Sequence, residues 1–343
     1  MKTLDIKGST GCSTLRVGES IKNLEQYVSA ENPIIITDSN VIRLYQDQFP
    51  EWKIIEIGLT ERSKTLDTVK EIYEKLVEYE ADRSSYIVGI GGGIVCDIAG
   101  FAASTYMRGI GFGFVSTTLL AQVDASVGGK NGVNWGGYKN MVGVFNQPDF
   151  VICDMELLQS LPREEVLCGL AEIVKHGAIA DPALFEFLES STEKLLNVDP
   201  QAIERCVYDS VVIKSGVVNK DERESGERKK LNFGHTFGHG LEKVTEMPHG
   251  EAISIGMKVA ARISVKRTGL STEEAERIEA LLQGLGLPVS FDCDLDKVLA
   301  ALKKDKKRAG SEIDFVLLDQ IGNAVIEKIS FDELEKEIRN IFE

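Results

Sequence analysis

The sequence predicts an α/β domain with a parallel sheet, followed by a mainly α-helical domain. In the first half, short apolar and β-branched runs of the kind buried in parallel sheets alternate with helical segments. Beyond about residue 160 the strand-like runs almost disappear and long helical patterns replace them. We therefore predict one domain over 1–158 and a second over 159–343, with a ligand cleft between them.

The elements of the first domain follow from its apolar periodicity. "LDTVKEIYEKLVEYEAD" carries Leu66, Val69 and Ile72 at helical spacing, with Leu76 and Tyr79 continuing the same face. The runs that predict buried strands are "PIIITD", "WKIIEI", "SYIVGIGGG", "GFGFVST" and "FVICD". Strands alternating with helices indicate right-handed crossovers in a Rossmann-like layer fold.

The second domain is predicted to consist largely of helices. One β-rich stretch, "IDFVLLDQIGNAVIEKI", interrupts the helical patterns. The helices are expected over 163–178, 199–220, 232–245, 249–268, 271–284 and 331–342.

Composition limits the classes of partner and compartment. The net charge of −15 argues against nucleic acid or an anionic membrane as a partner, because both require a basic surface. The six cysteines are scattered without a CxxC pair, as expected for reduced thiols in the cytoplasm. We see neither a signal-peptide pattern at "MKTLDIKGST" nor an apolar run long enough to span a membrane, and we expect a cytoplasmic protein.

A glycine-rich turn is the first candidate binding site. "GIGGGIVCDIAG", residues 89–100, follows a predicted strand and opens a helix, where backbone N–H groups can approach phosphate oxygens. It matches the dinucleotide fingerprint only partly, because Ile94 stands where the third glycine belongs, so a tight turn without a ligand is the alternative. Asp97 would repel phosphate and is better suited to a sugar hydroxyl or to capping the loop. Asp38 and Asn40, after "PIIITD", suit ribose hydroxyls, with a simple Asx cap as the alternative.

A second candidate region is "STTLLAQVDASVGGKNGVNWGGYKNMVG", residues 116–143. Asp124 lies in an apolar helical pattern, where a buried acid requires a partner. Lys130 and Lys139 flank a loop rich in glycine and asparagine, where lysines are well placed to bind phosphate or carboxylate. A solvated loop is the alternative.

Charged residues inside apolar helical patterns form the third candidate. "REEVLCGLAEIVKHG" predicts an amphipathic helix on which Glu172 and Lys175 share a face directed inward. Lys214 is a lone charge in the valine-rich "VYDSVVIKSGVV". Buried charges require partners, and an anionic ligand is one such partner.

Three of the chain's four histidines lie in "LNFGHTFGHGLEKVTEMPHGE", residues 231–251. A catalytic zinc usually takes three nitrogen or oxygen ligands from the protein and leaves one position open. Two histidines and a carboxylate would satisfy that pattern. The residues alone leave open which two of His235, His239 and His249 are ligands, and an ordinary helix with three histidines is the alternative.

Taken together, these motifs resemble the 3-dehydroquinate synthases, sugar-phosphate cyclases of the shikimate pathway. The resemblance runs from about residue 33 to residue 308. Cys96 and the 134–140 loop depart from the usual pattern. The motifs that carry the resemblance are, in order, "GGGIVCDIAGFAASTYMRG", "TTLLAQVDASVGGKNGVN", "KNMVG", "GLAEIVKHG", "LNFGHTFGH" and "HGEA".

The resemblance implies a role for each matching residue. The metal ligands, for Zn²⁺ or Co²⁺, fall on Glu172, His235 and His249, whereas His239 would contact the substrate. Arg108 matches an arginine that reaches the neighbouring subunit's substrate phosphate in a homodimer. The other substrate-binding positions match Asp124, Lys130, Asn140, Lys175, Lys214, Arg228, Asn232 and Lys306. The NAD contacts match Asp38, Asn40, Glu61, Lys64, Gly91, Gly92, Gly93, Asp97, Thr117, Thr118, Lys130 and Lys139.

The implied reaction converts 3-deoxy-D-arabino-heptulosonate 7-phosphate to 3-dehydroquinate and phosphate. NAD would be reduced and reoxidised within one cycle, with phosphate β-elimination and an intramolecular aldol closure following the oxidation. The rival functions are a sister cyclase acting on another sugar phosphate, an NAD-dependent polyol dehydrogenase, and a non-enzymatic metal-binding scaffold. Arg228, Asn232, His239 and Lys306, at the substrate's carboxylate end, argue against the sister cyclase, and the lysine-rich phosphate pocket argues against the dehydrogenase.

Overall fold

The computed structural model describes residues 1–224, 226–306 and 312–342. They form two compact units: Met1–Pro162 with Ile203–Glu222, and Arg163–Ala202 with Arg223–Glu343. These units differ from the predicted division into 1–158 and 159–343 in two respects, since unit 1 extends to Pro162 and also includes Ile203–Glu222. None of the helices in the described residues is both long enough and apolar enough to cross a membrane.

Unit 1 is built on a seven-stranded sheet. Its strands are β1 (Lys2–Gly8), β2 (Gly11–Val17), β3 (Pro33–Asp38), β4 (Lys53–Ile57), β5 (Tyr86–Gly91), β6 (Gly111–Ser116) and β9 (Phe150–Cys153). They lie in the order β1-β2-β9-β6-β5-β3-β4, and neighbouring strands are parallel except for the antiparallel hairpin β1–β2. The helices of this part are α1 (Ser39–Tyr45), α2 (Leu66–Glu78) and α3 (Gly93–Thr105). This confirms the predicted parallel α/β fold, while the β1–β2 hairpin and α1 were not predicted.

The β-branched runs form the core of unit 1. Ile34, Ile35 and Ile36 are fully buried, which explains why this strand has no polar alternation. Because β3 and β5 are parallel neighbours, Asp38 and the glycines after Gly91 lie at the same, carboxyl end of the sheet.

A hairpin replaces the predicted loop between Lys130 and Lys139. β7 (Lys130–Trp135) pairs antiparallel with β8 (Tyr138–Phe145). The turn is Gly136–Gly137, whose φ angles of 59° and 80° are readily adopted only without a side chain. The loop prediction was wrong because polar and glycine residues are typical both of a solvated loop and of a hairpin with a two-residue glycine turn.

Unit 2 consists largely of helices, as predicted for the second half. Its helices in the described residues are α4 (Arg163–Ala180), α5 (Pro182–Leu196), α7 (His235–Thr245), α8 (His249–Arg267), α9 (Thr272–Gly284), α10 (Leu295–Lys306) and α11 (Phe331–Phe342). The predicted β-rich stretch is the hairpin β10 (Glu312–Gln320) with β11 (Asn323–Ser330). α6 (Pro200–Lys220) belongs mostly to unit 1, and α5 and α10 were not predicted.

The expectation that α4 is amphipathic was wrong. Every residue from Val166 to Ile179 is buried, so the helix passes through the interior with all of its faces covered. A helix that is covered all round places any charged side chain it carries in the interior. Glu172 and Lys175 are such charges, and both are buried.

Candidate active site

Three side chains of unit 2 converge on one point. Glu172, on α4, presents Oε1 at 3.5 Å from His235 Nε2 and at 3.4 Å from His249 Nε2. One ligand atom from each residue lies within 4.8 Å of the others, a spacing that suits a metal ion. His235 is the first residue of α7 and His249 the first of α8, so three helices each contribute one donor.

The second nitrogen of each imidazole has its own acceptor. His235 Nδ1 donates to the Phe233 carbonyl at 3.2 Å, and His249 Nδ1 donates to Glu242 Oε1 at 3.1 Å. A proton on Nδ1 leaves the Nε2 lone pair available. Partners of this kind orient histidines in metal centres.

The surroundings of Glu172 provide a test of whether a cation fits. Oε2 forms an ion pair with Lys175 Nζ, whereas Oε1 is buried without a hydrogen-bond partner in the described residues. A buried carboxylate oxygen without a donor is costly unless something else satisfies it. Since two Nε2 atoms face the same oxygen, the donor set fits a divalent metal of the nitrogen- and oxygen-binding kind.

The electrostatics of the cluster differ from residue to residue. Burial raises the pKa of Glu172, but the Lys175 ammonium, His235 and His249 together outweigh burial and hold that pKa well below the usual range. Burial and the same ammonium lower the pKa of His235 to about 3. Burial alone would lower the pKa of His249, but its contacts with Glu172 and Glu242 raise it to about 9.

His239 lies beside this cluster without joining it. Its ring centre is 5.2 Å from that of His235, but the side chain is 46% exposed and its Nε2 lies 4.0 Å from Glu242 Oε2. His239 is therefore the most exposed of the three histidines. Nearby in the chain, Arg228 is buried, and Asn232 donates to Glu224 Oε1 at 2.7 Å.

Sequence reasoning missed two acidic residues of this region, Glu224 and Glu242. Glu242 is seven residues after His235, which places both on one face of α7. That spacing was a usable signal for Glu242. Nothing local marks Glu224, which follows α6 in a charged segment.

In unit 1, the glycine turn joins β5 directly to α3. Gly91 ends the strand, Gly92 is the N-cap and Gly93 begins the helix, with no side-chain cap among the described residues. An uncapped helix N-terminus suits phosphate oxygens. Thr117 and Thr118 follow the neighbouring strand β6, and Thr117 N donates to the Gly91 carbonyl at 2.9 Å.

A charged network lies just beyond this turn. Lys64 Nζ pairs with Asp97 and donates to Asn140 Oδ1 at 2.6 Å. Burial raises the pKa of Asp97 to about 6 even though the Lys64 ammonium lowers it. Glu61 Oε1 accepts from Asn134 Nδ2 at 2.7 Å, and Asn140 N donates to Asn134 Oδ1 at 2.8 Å. The structure thus brings together four predicted residues, namely Glu61, Lys64, Asp97 and Asn140.

The same part of unit 1 holds a pocket of about 370 Å³ lined by Asp97, Lys130, Asn140 and the β7–β8 hairpin. Lys139 is exposed on that hairpin. Lys130 and Asp97 therefore line the same pocket.

Asp124 forms an ion pair with Lys214, but it is not buried as predicted. Lys214, on α6, donates to Asp124 Oδ1 and to the Asp124 carbonyl, both at 2.6 Å. The Lys214 side chain is buried, whereas that of Asp124 is 33% exposed. Asp124 lies in a short π-helical turn, Ala121–Ala125, of the type often found at functional sites.

Within the described residues, no hydrogen bond or ion pair joins Asp38, Asn40 or Arg108 to these clusters. Asp38 caps α1 by accepting from Asn40 N and Val41 N at 2.9 and 3.1 Å, which is the Asx cap considered as the alternative. Arg108 is exposed, with φ of 73°, after the end of α3. Lys306 ends α10, and its side chain lies outside the described residues.

Comparison with known families covers most of the chain. The model of the 3-dehydroquinate synthase N-terminal region matches residues 54–168, and that of the C-terminal region matches residues 169–308. A 3-dehydroquinate synthase of Halorhodospira halophila is 43% identical over 311 residues, 88% of each chain. One from Thermoanaerobacter pseudethanolicus is 40% identical over 339 residues, 94% of each chain.

Solved structures show the same fold. A 2-deoxy-scyllo-inosose synthase, complexed with carbaglucose-6-phosphate, NAD⁺ and Co²⁺, has a TM-score of 0.89 at 27% identity and covers 99% of this chain and 100% of its own. A 2-epi-5-epi-valiolone synthase of Streptomyces hygroscopicus, with NAD⁺ and Zn²⁺ bound, has a TM-score of 0.87 at 26% identity, covering 98% and 97%. Since both family models match in order and the relatives align over nearly their whole lengths, the chain belongs to the 3-dehydroquinate synthase family.

Proposed function

We propose that this enzyme converts 3-deoxy-D-arabino-heptulosonate 7-phosphate to 3-dehydroquinate and phosphate, and is therefore a carbon–oxygen lyase. The observation that carries the proposal is the convergence of Glu172, His235 and His249 with their Nε2 and Oε1 atoms directed at one point. It is supported by the family of the chain and by 38–43% identity to 3-dehydroquinate synthases.

The cofactors proposed are NAD and a divalent metal, Zn²⁺ or Co²⁺. Bound NAD⁺ would supply a reversible hydride acceptor, and a bound metal would supply a Lewis acid that lowers the pKa of substrate hydroxyls. Gly91, Gly92 and Gly93 would present backbone N–H groups to the pyrophosphate. Thr117, Thr118, Lys139, Asp38, Asn40 and the Glu61–Lys64–Asp97 network would complete the NAD contacts.

The chain's own charged residues would bind the substrate's two anionic ends. Arg228, Asn232, Lys306 and His239 would hold the carboxylate end, whereas Lys130, Asn140 and Lys214 would hold the phosphate. Buried Lys175 forms an ion pair with Glu172 and, with the histidines, keeps that carboxyl ionised. A cluster of this kind explains how a chain with a net charge of −15 would hold a multiply anionic substrate.

The assembly proposed is a homodimer in which Arg108 serves the neighbouring subunit's site. Arg108 is exposed, and no hydrogen bond or ion pair joins it to another of the described residues. Both observations are compatible with a partner on another chain. The compartment proposed is the cytoplasm, where free thiols such as the six cysteines here stay reduced.

The experiment that tests this function is phosphate release from the heptulosonate phosphate, with and without added NAD⁺, while absorbance is followed at the NADH band. We expect phosphate to accumulate at constant NADH absorbance, because hydride is taken and returned within one cycle. Stoichiometric accumulation of NADH would support a polyol dehydrogenase. Activity on another sugar phosphate alone would support a sister cyclase.

A further inference from the structure

The two histidines of the metal cluster differ in what holds them. His235 Nδ1 donates to a neutral backbone carbonyl two residues earlier in its own chain segment. His249 Nδ1 donates to the carboxylate of Glu242, seven residues earlier and on a different helix. Only His249 therefore depends on another side chain for its orientation.

Glu242 is held where it can act on His249. It lies in the last turns of α7, and only Glu246, Met247 and Pro248 separate that helix from His249 at the start of α8. Its side chain is 11% exposed, so the carboxylate is largely removed from water. The bond between Glu242 Oε1 and His249 Nδ1 fixes both the rotation of the imidazole and the position of its proton.

The same carboxylate also faces the exposed histidine. Its second oxygen, Oε2, lies 4.0 Å from His239 Nε2, an ion-pair distance too long for a hydrogen bond. The Glu242 carboxylate is thus close to both a proposed metal ligand, His249, and a proposed substrate contact, His239.

We infer that Glu242 is a positioning residue for the metal, because it orients His249 so that Nε2 points at the ion and makes that imidazole a stronger donor. The inference rests on the proposed metal site. In metal centres, loss of a partner of this kind typically lowers metal affinity by about 10- to 100-fold. We expect that loss for Glu242→Ala.

The test measures Zn²⁺ affinity of purified, metal-free protein by competition with a chromophoric chelator. Glu242→Ala should bind Zn²⁺ about 10- to 100-fold more weakly than the unmodified chain. Glu242→Gln should regain most of the affinity, because the amide oxygen accepts the same bond from Nδ1. Glu246→Ala is the matched control, since it removes an exposed carboxylate from the residue that directly follows the same helix, and it should leave affinity unchanged.

His249→Ala separates failure of this inference from failure of the metal site. If His249→Ala loses affinity and Glu242→Ala keeps it, Glu242 does not position the ligand. If His249→Ala also keeps full affinity, the metal site itself is wrong and the inference falls with it. Equal losses in Glu242→Gln and Glu242→Ala would point to a general structural role and would overturn the positioning role.

A measurement on the unmodified chain avoids any dependence on how a variant folds. The nitrogen NMR signals of the four histidines report which ring nitrogen carries the proton and which carries the metal. With Zn²⁺ bound, His249 should be protonated on Nδ1 and metal-bound through Nε2. Metal on Nδ1 of His249 would contradict the inference directly.

Discussion

The two carboxylate oxygens of Glu172 have different surroundings. Oε2 pairs with Lys175, while Oε1 faces His235 and His249. One oxygen is therefore neutralised by the protein and the other is left for a cation. Because the Lys175 ammonium keeps the carboxyl ionised, the donor is in the charge state that a metal requires.

We expect metal content to depend on the three converging residues and much less on His239. Purified Glu172→Gln, His235→Ala and His249→Ala should each lose most of their bound metal, because each removes a donor or its charge. His239→Ala should retain it, because His239 does not reach the common point. Elemental analysis measures the bound metal in each variant. If His239→Ala contains as little metal as His235→Ala, the ligand assignment is wrong.

Asp97 should make stability depend on pH over a defined range. Burial raises its pKa to about 6 in the folded chain, above the ordinary value of 3.8 for an aspartate, so the folded state binds the proton more tightly. The stabilisation is complete below about pH 4 and is lost as pH rises through about 6.

The measurement compares the free energy of unfolding of the unmodified chain with that of Asp97→Asn from pH 4 to pH 7. The unmodified chain should lose about 2 to 3 kcal/mol relative to the variant over this range, since one pKa unit corresponds to about 1.4 kcal/mol. Asp67→Asn, at an exposed position, serves as the control and should show no such difference. If the difference in the free energy of unfolding between the two proteins does not change with pH, the Lys64 charge fully offsets the effect of burial on the pKa of Asp97.

At the scale of elements, the cluster depends on how closely α4 and α8 approach. Gly250 follows His249, and a Cβ added there would lie 2.5 Å from the Cα atom of Cys168. Cys168 is one helical turn before Glu172. Its sulfur accepts a hydrogen bond from Gly250 N at 3.4 Å. The bare backbone of one helix therefore packs on the other beside two of the three proposed ligands.

Gly250→Ala should force these helices apart. We expect a loss of about 1 to 3 kcal/mol in the free energy of unfolding, as for other overpacked sites, together with weaker metal binding. Gly216→Ala is the matched control, because Gly216 lies in α6 with open space around it. That change should raise stability by up to about 1 kcal/mol through helix propensity. Chemical denaturation measures the free energy of unfolding of both variants. If Gly250→Ala is as stable as the unmodified chain, the two helices accommodate the added methyl group without loss of stability.

Local sequence patterns predicted the helices and strands well, but they did not predict which residues from distant parts of the chain contact one another. The strand–glycine–helix unit at 86–105 and the histidine-rich helices follow from periodicity that neighbouring residues carry. The Lys64–Asp97 and Asp124–Lys214 pairs join residues 33 and 90 positions apart, and no local signal specifies them. The β7–β8 hairpin was not predicted because glycine and asparagine dominate β7 and interrupt β8, so that neither strand shows the continuous apolar run of a buried strand.

At the scale of the whole molecule, the predicted residues divide between two units. The Gly91–Gly93 turn, Lys64, Asp97 and Lys130 belong to unit 1, and the proposed metal ligands with Lys175 belong to unit 2. Arg108 belongs to unit 1, and its proposed phosphate partner lies in a second copy of the chain.

Mixing two inactive variants tests whether Arg108 acts across a dimer. Arg108→Ala and Lys175→Ala should each be inactive alone, but a heterodimer contains one site with both residues intact. If subunits exchange at random, about a quarter of the unmodified activity should return. Subunit exchange is verified independently with two differently tagged chains. A mixture that exchanges but stays inactive would mean that Arg108 serves its own subunit.

Unit 1 is discontinuous in the chain, and this affects how it is made on the ribosome. Its sheet is complete by Cys153, yet Ile203–Glu222 must still join it, where Asn219 accepts from Lys7 N at 3.2 Å and Glu222 accepts from Ser9 N at 3.0 Å. The 60 residues from 163 to 222 take about 3 to 12 s to synthesise at typical elongation rates of about 5 to 20 residues per second. During that interval the β1–β2 hairpin lacks its covering helix, so the nascent chain passes through a stage at which chaperones can bind the exposed sheet edge.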